Sequence, residues 1–183
     1  MAIMFETKRL LVREWLPKQD AEQAFEIYSD PEVMRFIGNG STVESVEVQQ
    51  ANLQGLIEVY AKRKNGTGSW AIVTRSSSEI VGAVILKQLP DNQGQPTQDY
   101  EVGWHLKQSA WGKGYATEAG RAAIEYGFKL LKLPVIYAVV RPENTASRRV
   151  TERLGMVPMG RSRKYYGVEL DLFKLDAENW AER

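Results

Sequence analysis

The run Trp111-Gly112-Lys113-Gly114-Tyr115-Ala116-Thr117-Glu118-Ala119 carries the most explicit chemistry in this 183-residue sequence. Two glycines and an alanine at the start of a helix let a ligand approach the backbone closely. The unpaired N–H groups and the positive dipole end there make an anion site, and a phosphate or pyrophosphate is its obvious guest. Two common phosphate motifs are absent. A P-loop needs Gly-Lys followed by Ser or Thr, and here Gly112-Lys113 is followed by Gly114. A dinucleotide fingerprint needs a third glycine where Thr117 stands. Taken alone, the glycine pair reads first as a tight turn; its surroundings change that reading.

Other reactive side chains are few. Cysteine is absent, which removes disulfides, thiolate catalysis and cysteine metal sites. The single histidine, His105, leaves no His-rich zinc site and is the only residue on which a Ser-His-Asp arrangement could be built. Its titration near neutrality makes it a candidate base, although a lone histidine beside Trp104 is more often a packed wall residue. Asn144 is a preferred helix N-cap. Lys113, Arg148 and Arg149 either pair with phosphates or form a solvated basic face. The cluster Arg161, Arg163, Lys164, Tyr165 and Tyr166 mixes cations with rings, as single-stranded nucleic-acid sites do. A single short cluster on a neutral chain reads more naturally as a substrate-rim loop or a strand edge.

The elements that must position these groups follow from periodicity and breakers. Lys8 to Trp15 predicts a strand that ends at Pro17, and Asp20 to Ser29 a helix stopped by Asp30-Pro31. Ser45 to Lys64 predicts a long helix closed by three cations. Trp70 to Thr74 and Glu79 to Lys87 form a hairpin around three serines, Pro90 to Gln98 is a polar loop, and Tyr100 to Lys107 is a third strand. Then come a helix over Gly112 to Lys132, a strand over Val135 to Val140, a helix over Asn144 to Leu154 capped by Gly155, and strands over Met156 to Arg161 and Glu169 to Leu175. The order predicts an α/β fold: a mixed, mostly antiparallel sheet of about seven strands with helices on both faces. No boundary interrupts it, so residues 1–183 are expected to form one domain with a core over about 8–176.

Composition narrows the classes. Apolar residues make up 43% and charged residues 26%, with 24 Lys+Arg against 23 Asp+Glu, a net charge of +1. These figures exclude a disordered, collagen-like or coiled-coil chain. No global field steers the chain to nucleic acid or an anionic membrane. Apolar runs such as Ile80 to Leu86 fall far short of the ~20 residues of a membrane span. Met1 to Leu10 carries Glu6, Lys8 and Arg9 and does not read as a signal peptide. The expected location is cytoplasmic, with no membrane or nucleic-acid partner.

Trp111 to Ala119 resembles the acetyl-CoA pyrophosphate loop of the GCN5-related N-acetyltransferase (GNAT) superfamily, in its ribosomal-protein N-terminal acetyltransferase-like (RimJ/RimL-type) branch. The resemblance spans nearly the whole chain. Thr7 to Arg13 is similar to that branch's first strand, and Tyr100-Glu101-Val102-Gly103-Trp104-His105-Leu106 to its splayed fourth strand. Asn144 to Met156, with Ser147 and Leu154-Gly155, is similar to its Asn-x-x-Ser helix, and Gly167 to Trp180, with Asp171, to its closing strand. There are departures. Trp111 stands where the wider superfamily often has Gln or Arg, Met156 where an aromatic follows Leu-Gly, and Thr151 where the superfamily's acid tyrosine often lies.

The resemblance implies an enzyme that moves acetyl from acetyl-CoA to a primary amine by direct attack, with no metal. The acceptor is a protein N-terminus or a small amine, and the chain is a monomer or homodimer. The implied cofactor contacts are Val102, Gly103, Trp104, His105, Leu106, Trp111, Gly112, Lys113, Gly114, Tyr115, Ala116, Thr117, Asn144 and Ser147. The backbone from Val102 to Leu106 would hold the pantetheine arm and the thioester carbonyl. Glu101 is the first candidate for general base, or else it holds the substrate cation or pairs with an arginine. Ser147 is the nearest hydroxyl on its helix to protonate a thiolate. The rivals are an acyl-CoA sensor without turnover, a nucleotide-phosphate enzyme, and a small-molecule or antibiotic acetylase. Acceptor contacts are expected near Phe36 to Gln50 and Arg161 to Gly167.

Overall fold

The computed structural model describes residues 2–181; Met1 and the last two residues of the expected domain lie outside that range. Among the described residues eight strands form one sheet: β1 Ile3–Glu6, β2 Leu10–Arg13, β3 Gly68–Thr74, β4 Ile80–Pro90, β5 Pro96–Leu106, β6 Val135–Val140, β7 Val157–Ser162 and β8 Leu170–Asp176. Six helices accompany them: α1 Pro17–Tyr28, α2 Pro31–Met34, α3 Val46–Arg63, α4 Tyr115–Lys129, α5 Thr145–Arg153 and α6 Ala177–Ala181. The spatial order is β1-β2-β3-β4-β5-β6-β8-β7. Every neighbouring pair is antiparallel except β5–β6, whose single register pair is Glu101 with Tyr137. With only that one parallel pair, the C-terminal half of β5 parts from β6, and the sheet opens between them.

Helices cover both faces, as expected. Ala119, Ala123, Ile124 and Phe128 of α4 pack on Val84, Leu86, Val102 and Ile136 in one core cluster. Across the sheet, Ala24 and Ile27 of α1 and Leu53 of α3 meet Ala71, Val73 and Ala83. Side-chain alternation along β5 therefore sends Val102, Trp104 and Leu106 toward α4 and Glu101, Gly103 and His105 toward α1 and α3. A buried pair fixes α1: both terminal guanidinium nitrogens of Arg13 donate to Asp20, at 2.6 and 2.9 Å, and the same carboxylate accepts from Leu16 N–H at 2.7 Å.

The differences from the expected elements have local causes. The expected Lys8–Trp15 strand is a hairpin arm, and β1 precedes it as the eighth strand. The turn contains no Gly or Pro. Thr7 closes it instead, with N–H to Leu10 carbonyl at 2.9 Å and its hydroxyl accepting Leu10 N–H at 2.9 Å. Pro17 does not merely end a strand; it opens α1, where its missing N–H costs nothing. The expected polar loop from Pro90 to Gln98 is mostly strand, and the turn shrinks to Asp91–Gln95, closed by the Asp91 carboxylate on Gln93 and Gln95 N–H. The helix expected from Gly112 begins at Tyr115, because Gly112 (φ +73°) and Gly114 (φ +80°) hold left-handed backbone that a helix cannot use. Among the described residues no helix is long and apolar enough to cross a membrane.

Candidate active site

The loop before α4 is a built cradle. Trp111, Gly112 and Lys113 are exposed. A Cβ placed on Gly112 would meet no atom within 4 Å, so open space faces the backbone there. Gly114 is the N-cap and offers no side chain to α4, which leaves the N–H groups of Tyr115, Ala116 and Thr117 without intrahelical acceptors. Thr117 Oγ1 is buried with no hydrogen-bond partner. Unsatisfied donors at a helix start and an orphaned buried hydroxyl together suit an anionic guest.

Groups far away in sequence set the shape of this cradle. Arg9 donates to the Lys113 carbonyl at 2.9 Å and pairs with Glu118 at 2.6 Å. Glu118 also accepts from Thr7 hydroxyl at 2.6 Å and from Arg9 N–H at 3.0 Å. Burial opposes the Glu118 charge, but these donors outweigh it and hold the carboxyl below the ordinary range. The Arg9 guanidinium lies 4.8 Å from the centre of the Tyr115 ring. Sequence reasoning missed this clamp; Glu118 stood in the quoted motif, but its partners lie over a hundred residues upstream.

Glu101 lies where β5 and β6 begin to part, and it is 7% exposed. Lys87 Nζ is 3.4 Å from its Oε1, and the Tyr166 hydroxyl donates to the same oxygen in a very short contact. Burial pushes this carboxyl above the ordinary range, against the pull of Lys87 and Tyr166. His105, four residues on and on the same face, has Nδ1 3.3 Å from the Tyr28 hydroxyl. Burial, with Lys87 adding to it, pushes the imidazole down to about 4, so it is neutral at pH 7.

Lys87, Tyr28 and His105 border a cleft of about 260 Å³ between the sheet and helices α1 and α3. Its wall includes Tyr28, Gln49, Asn52, Tyr60, Lys87 and His105. Glu101 is outside this lining but interacts with two of its residues, Lys87 and Tyr60. Of the expected acceptor segments, only Gln49 reaches the wall. The Arg161–Gly167 segment meets Glu101 through the Tyr166 hydroxyl. Lys87, Tyr28 and Tyr60 had no signal in sequence, since strand and helix periodicity assign them only to a half-buried face.

Asn144 caps α5 by accepting Ser147 N–H at 3.0 Å. Thr151 is fully buried and its hydroxyl donates to the Arg148 carbonyl at 2.7 Å, so it has no proton to offer a ligand. Among the described residues no hydrogen bond joins Ser147 to Glu101; the two lie on separate elements either side of the sheet opening. Arg148 is bound to Asp171 and to the Pro142 carbonyl, which assigns it to structure. The basic-aromatic cluster is likewise committed: Arg161 and Arg163 pair with Glu169, and Lys164 and Tyr165 with Asp99.

Comparison with known proteins gives the family and the fold. Residues 9–157 match the model of a family described as "Acetyltransferase (GNAT) domain". The chain is 31% identical to an uncharacterized N-acetyltransferase, YoaA, of Bacillus subtilis, over 88% of this chain and 87% of that one. It is similar to the crystal structure of a GNAT-family acetyltransferase from Bacillus anthracis, with TM-score 0.77, 27% identity, and coverage of 97% and 99% of the two chains. It shares its fold, at TM-score 0.77 and 15% identity over 97% and 99% of the chains, with a RimL ribosomal L7/L12 alpha-N-protein acetyltransferase solved with coenzyme A.

Proposed function

Because this chain belongs to the GNAT acetyltransferase family, we propose that it moves an acetyl group from acetyl-CoA to a primary amine by direct attack in a ternary complex. The observation that carries the reading is the anion cradle at the start of α4, beside a sheet opening that begins at a buried carboxylate. The donor supplies an activated acyl group as a thioester. The residues Trp111 to Thr117 suit its pyrophosphate through backbone N–H groups. The β5 backbone from Val102 to Leu106, freed from β6, suits the pantetheine arm, with Asn144 and Ser147 on the other side of the opening.

The acceptor amine reaches the enzyme protonated, since an alkyl ammonium has a pKa near ~10. It must lose that proton before it attacks. A carboxyl raised by burial is better matched to this task near neutrality than an ordinary one. Lys87 and Tyr60, rather than Glu101, line the cleft, so the proton travels to Glu101 through a water. Ser147 is the hydroxyl available to the departing thiolate. A thiol pKa near ~8.5 makes its help modest, at the low end of the ~10²–10⁴-fold range of acid catalysis.

The acceptor is a protein N-terminal amine, as in the RimJ/RimL-type branch, or a small amine. A cleft of about 260 Å³ has room for one side chain or one small molecule. The cysteine-free chain suits a reducing, cytoplasmic setting. The test is a panel of N-terminal peptides, polyamines and aminoglycosides with acetyl-CoA, read by thiol release. At least one amine should release thiol, and Glu101→Gln should lower kcat on it by ~10²-fold or more while leaving the acetyl-CoA Kd unchanged. Binding of acetyl-CoA without turnover on any amine would make the protein a sensor. Unchanged kcat in Glu101→Gln would remove Glu101 as base.

A further inference from the structure

The turn between β7 and β8 is fastened to the β4–β5 hairpin at both its ends. Asn92 Nδ2 donates to the Arg163 carbonyl at 2.9 Å, and Gly167 N–H donates to Asn92 Oδ1 at 3.0 Å. Between these clamps Lys164 Nζ and the Tyr165 hydroxyl both reach Asp99 Oδ2, at 2.7 Å each. Tyr166 sits at the centre with φ +60°, a left-handed conformation that a bulky side chain adopts only when its surroundings impose it. Its residue is 39% exposed, yet its hydroxyl turns inward to a carboxylate that is 7% exposed. Lys87 completes the group, 3.4 Å from the same Glu101 oxygen and 5.4 Å from the Tyr166 ring centre.

We infer that Tyr166 is a positioning residue for Glu101: the clamped turn delivers its hydroxyl to Oε1, holding the carboxylate in one rotamer with Oε2 left to take a proton. The usefulness of this arrangement rests on Glu101 being the base. The strain at Tyr166 is then the cost of aiming a donor at a buried acid. A donated O–H favours the charged carboxylate over the protonated one. Lys87 on β4 acts in the same sense. Tyr60 on α3, with Arg63 beside it, and Tyr137 opposite on β6 also face the acid, while His105 stands four residues further along the same face of β5. Asp99, two residues upstream, is already occupied by Lys164 and Tyr165.

The ionisation of Glu101 can be read in the free protein, without acceptor or acetyl-CoA, by carboxyl ¹³C NMR titration, with the signal assigned by its loss in Glu101→Gln. Tyr166→Phe keeps the ring and removes the donor. Its Glu101 midpoint should rise by about one to two pH units, the range expected for losing a hydrogen bond to a charged group. Asn92→Ala keeps the hydroxyl and loosens both ends of the turn, and it should move the midpoint in the same direction. An unchanged or lowered midpoint in Tyr166→Phe overturns the inference. An unchanged midpoint in Asn92→Ala overturns the part assigned to the clamped turn. Neither outcome touches the identity of the base, which the turnover of Glu101→Gln decides separately.

Discussion

His105 stands on the cleft wall beside the Tyr28 ring, edge to face at 5.9 Å. Its imidazole is pushed down to about 4 by burial, whereas in the unfolded chain it takes a proton near ~6.5. Between those two values the unfolded chain binds more protons than the folded one. Stability therefore rises with pH across that window and is complete above about 7. A shift of this size is worth on the order of 3 kcal/mol. Urea unfolding at pH 7 and pH 5 should show a loss in the wild type that His105→Gln largely abolishes. An equal pH loss in both proteins would mean that the imidazole titrates freely in the folded state. His105 was the single histidine in the sequence, so its candidacy was legible. Its neutrality was not, because that comes from burial and from Lys87, which adjacent residues do not reveal.

At the scale of elements, most of the fold was readable because apolar periodicity is strong. β6 has its expected bounds, and α3 and α5 match to within a residue or two at each end. The misses arise where a side chain does what Gly or Pro usually does. Thr7 closes the β1–β2 turn, and Asp91 tightens the β4–β5 turn. The loop before α4 was legible from its glycines, but the Arg9–Glu118 clamp that shapes it was not. One close approach is equally hidden. A Cβ on Gly82 would overlap the His105 carbonyl oxygen, which is backbone and cannot step aside as a flexible side chain could. Gly82→Ala should force β4 and β5 apart beside the cleft. The expected cost is at the upper end of the ~1–3 kcal/mol typical of overpacking, measured by chemical denaturation. A variant as stable as wild type would show that β5 has slack at His105.

For the whole molecule, the proposed function depends on a break in an otherwise continuous sheet. β5 and β6 share one pair, Glu101 with Tyr137, and then separate, with the cradle of α4 on one flank and the cap of α5 on the other. A mixed sheet followed from strand and helix order, but which pair is parallel and where it separates are properties of register that no periodicity encodes; only the resemblance implied a splayed strand there. The tyrosines and Lys87 around Glu101 come from β4, α3 and the β7–β8 turn, so only the assembled sheet brings them together. The account stands on the claim that the cradle binds the pyrophosphate of acetyl-CoA. The most direct measurement is calorimetric titration of acetyl-CoA into wild type and into Gly114→Val, with circular dichroism to confirm that the variant is folded. Gly114 holds φ +80°, where a β-branched side chain is strained, and the variant should distort the cradle. The account predicts binding to one site per chain in the wild type and none measurable in Gly114→Val. Equal affinity in the two proteins, or no binding by either, would contradict it.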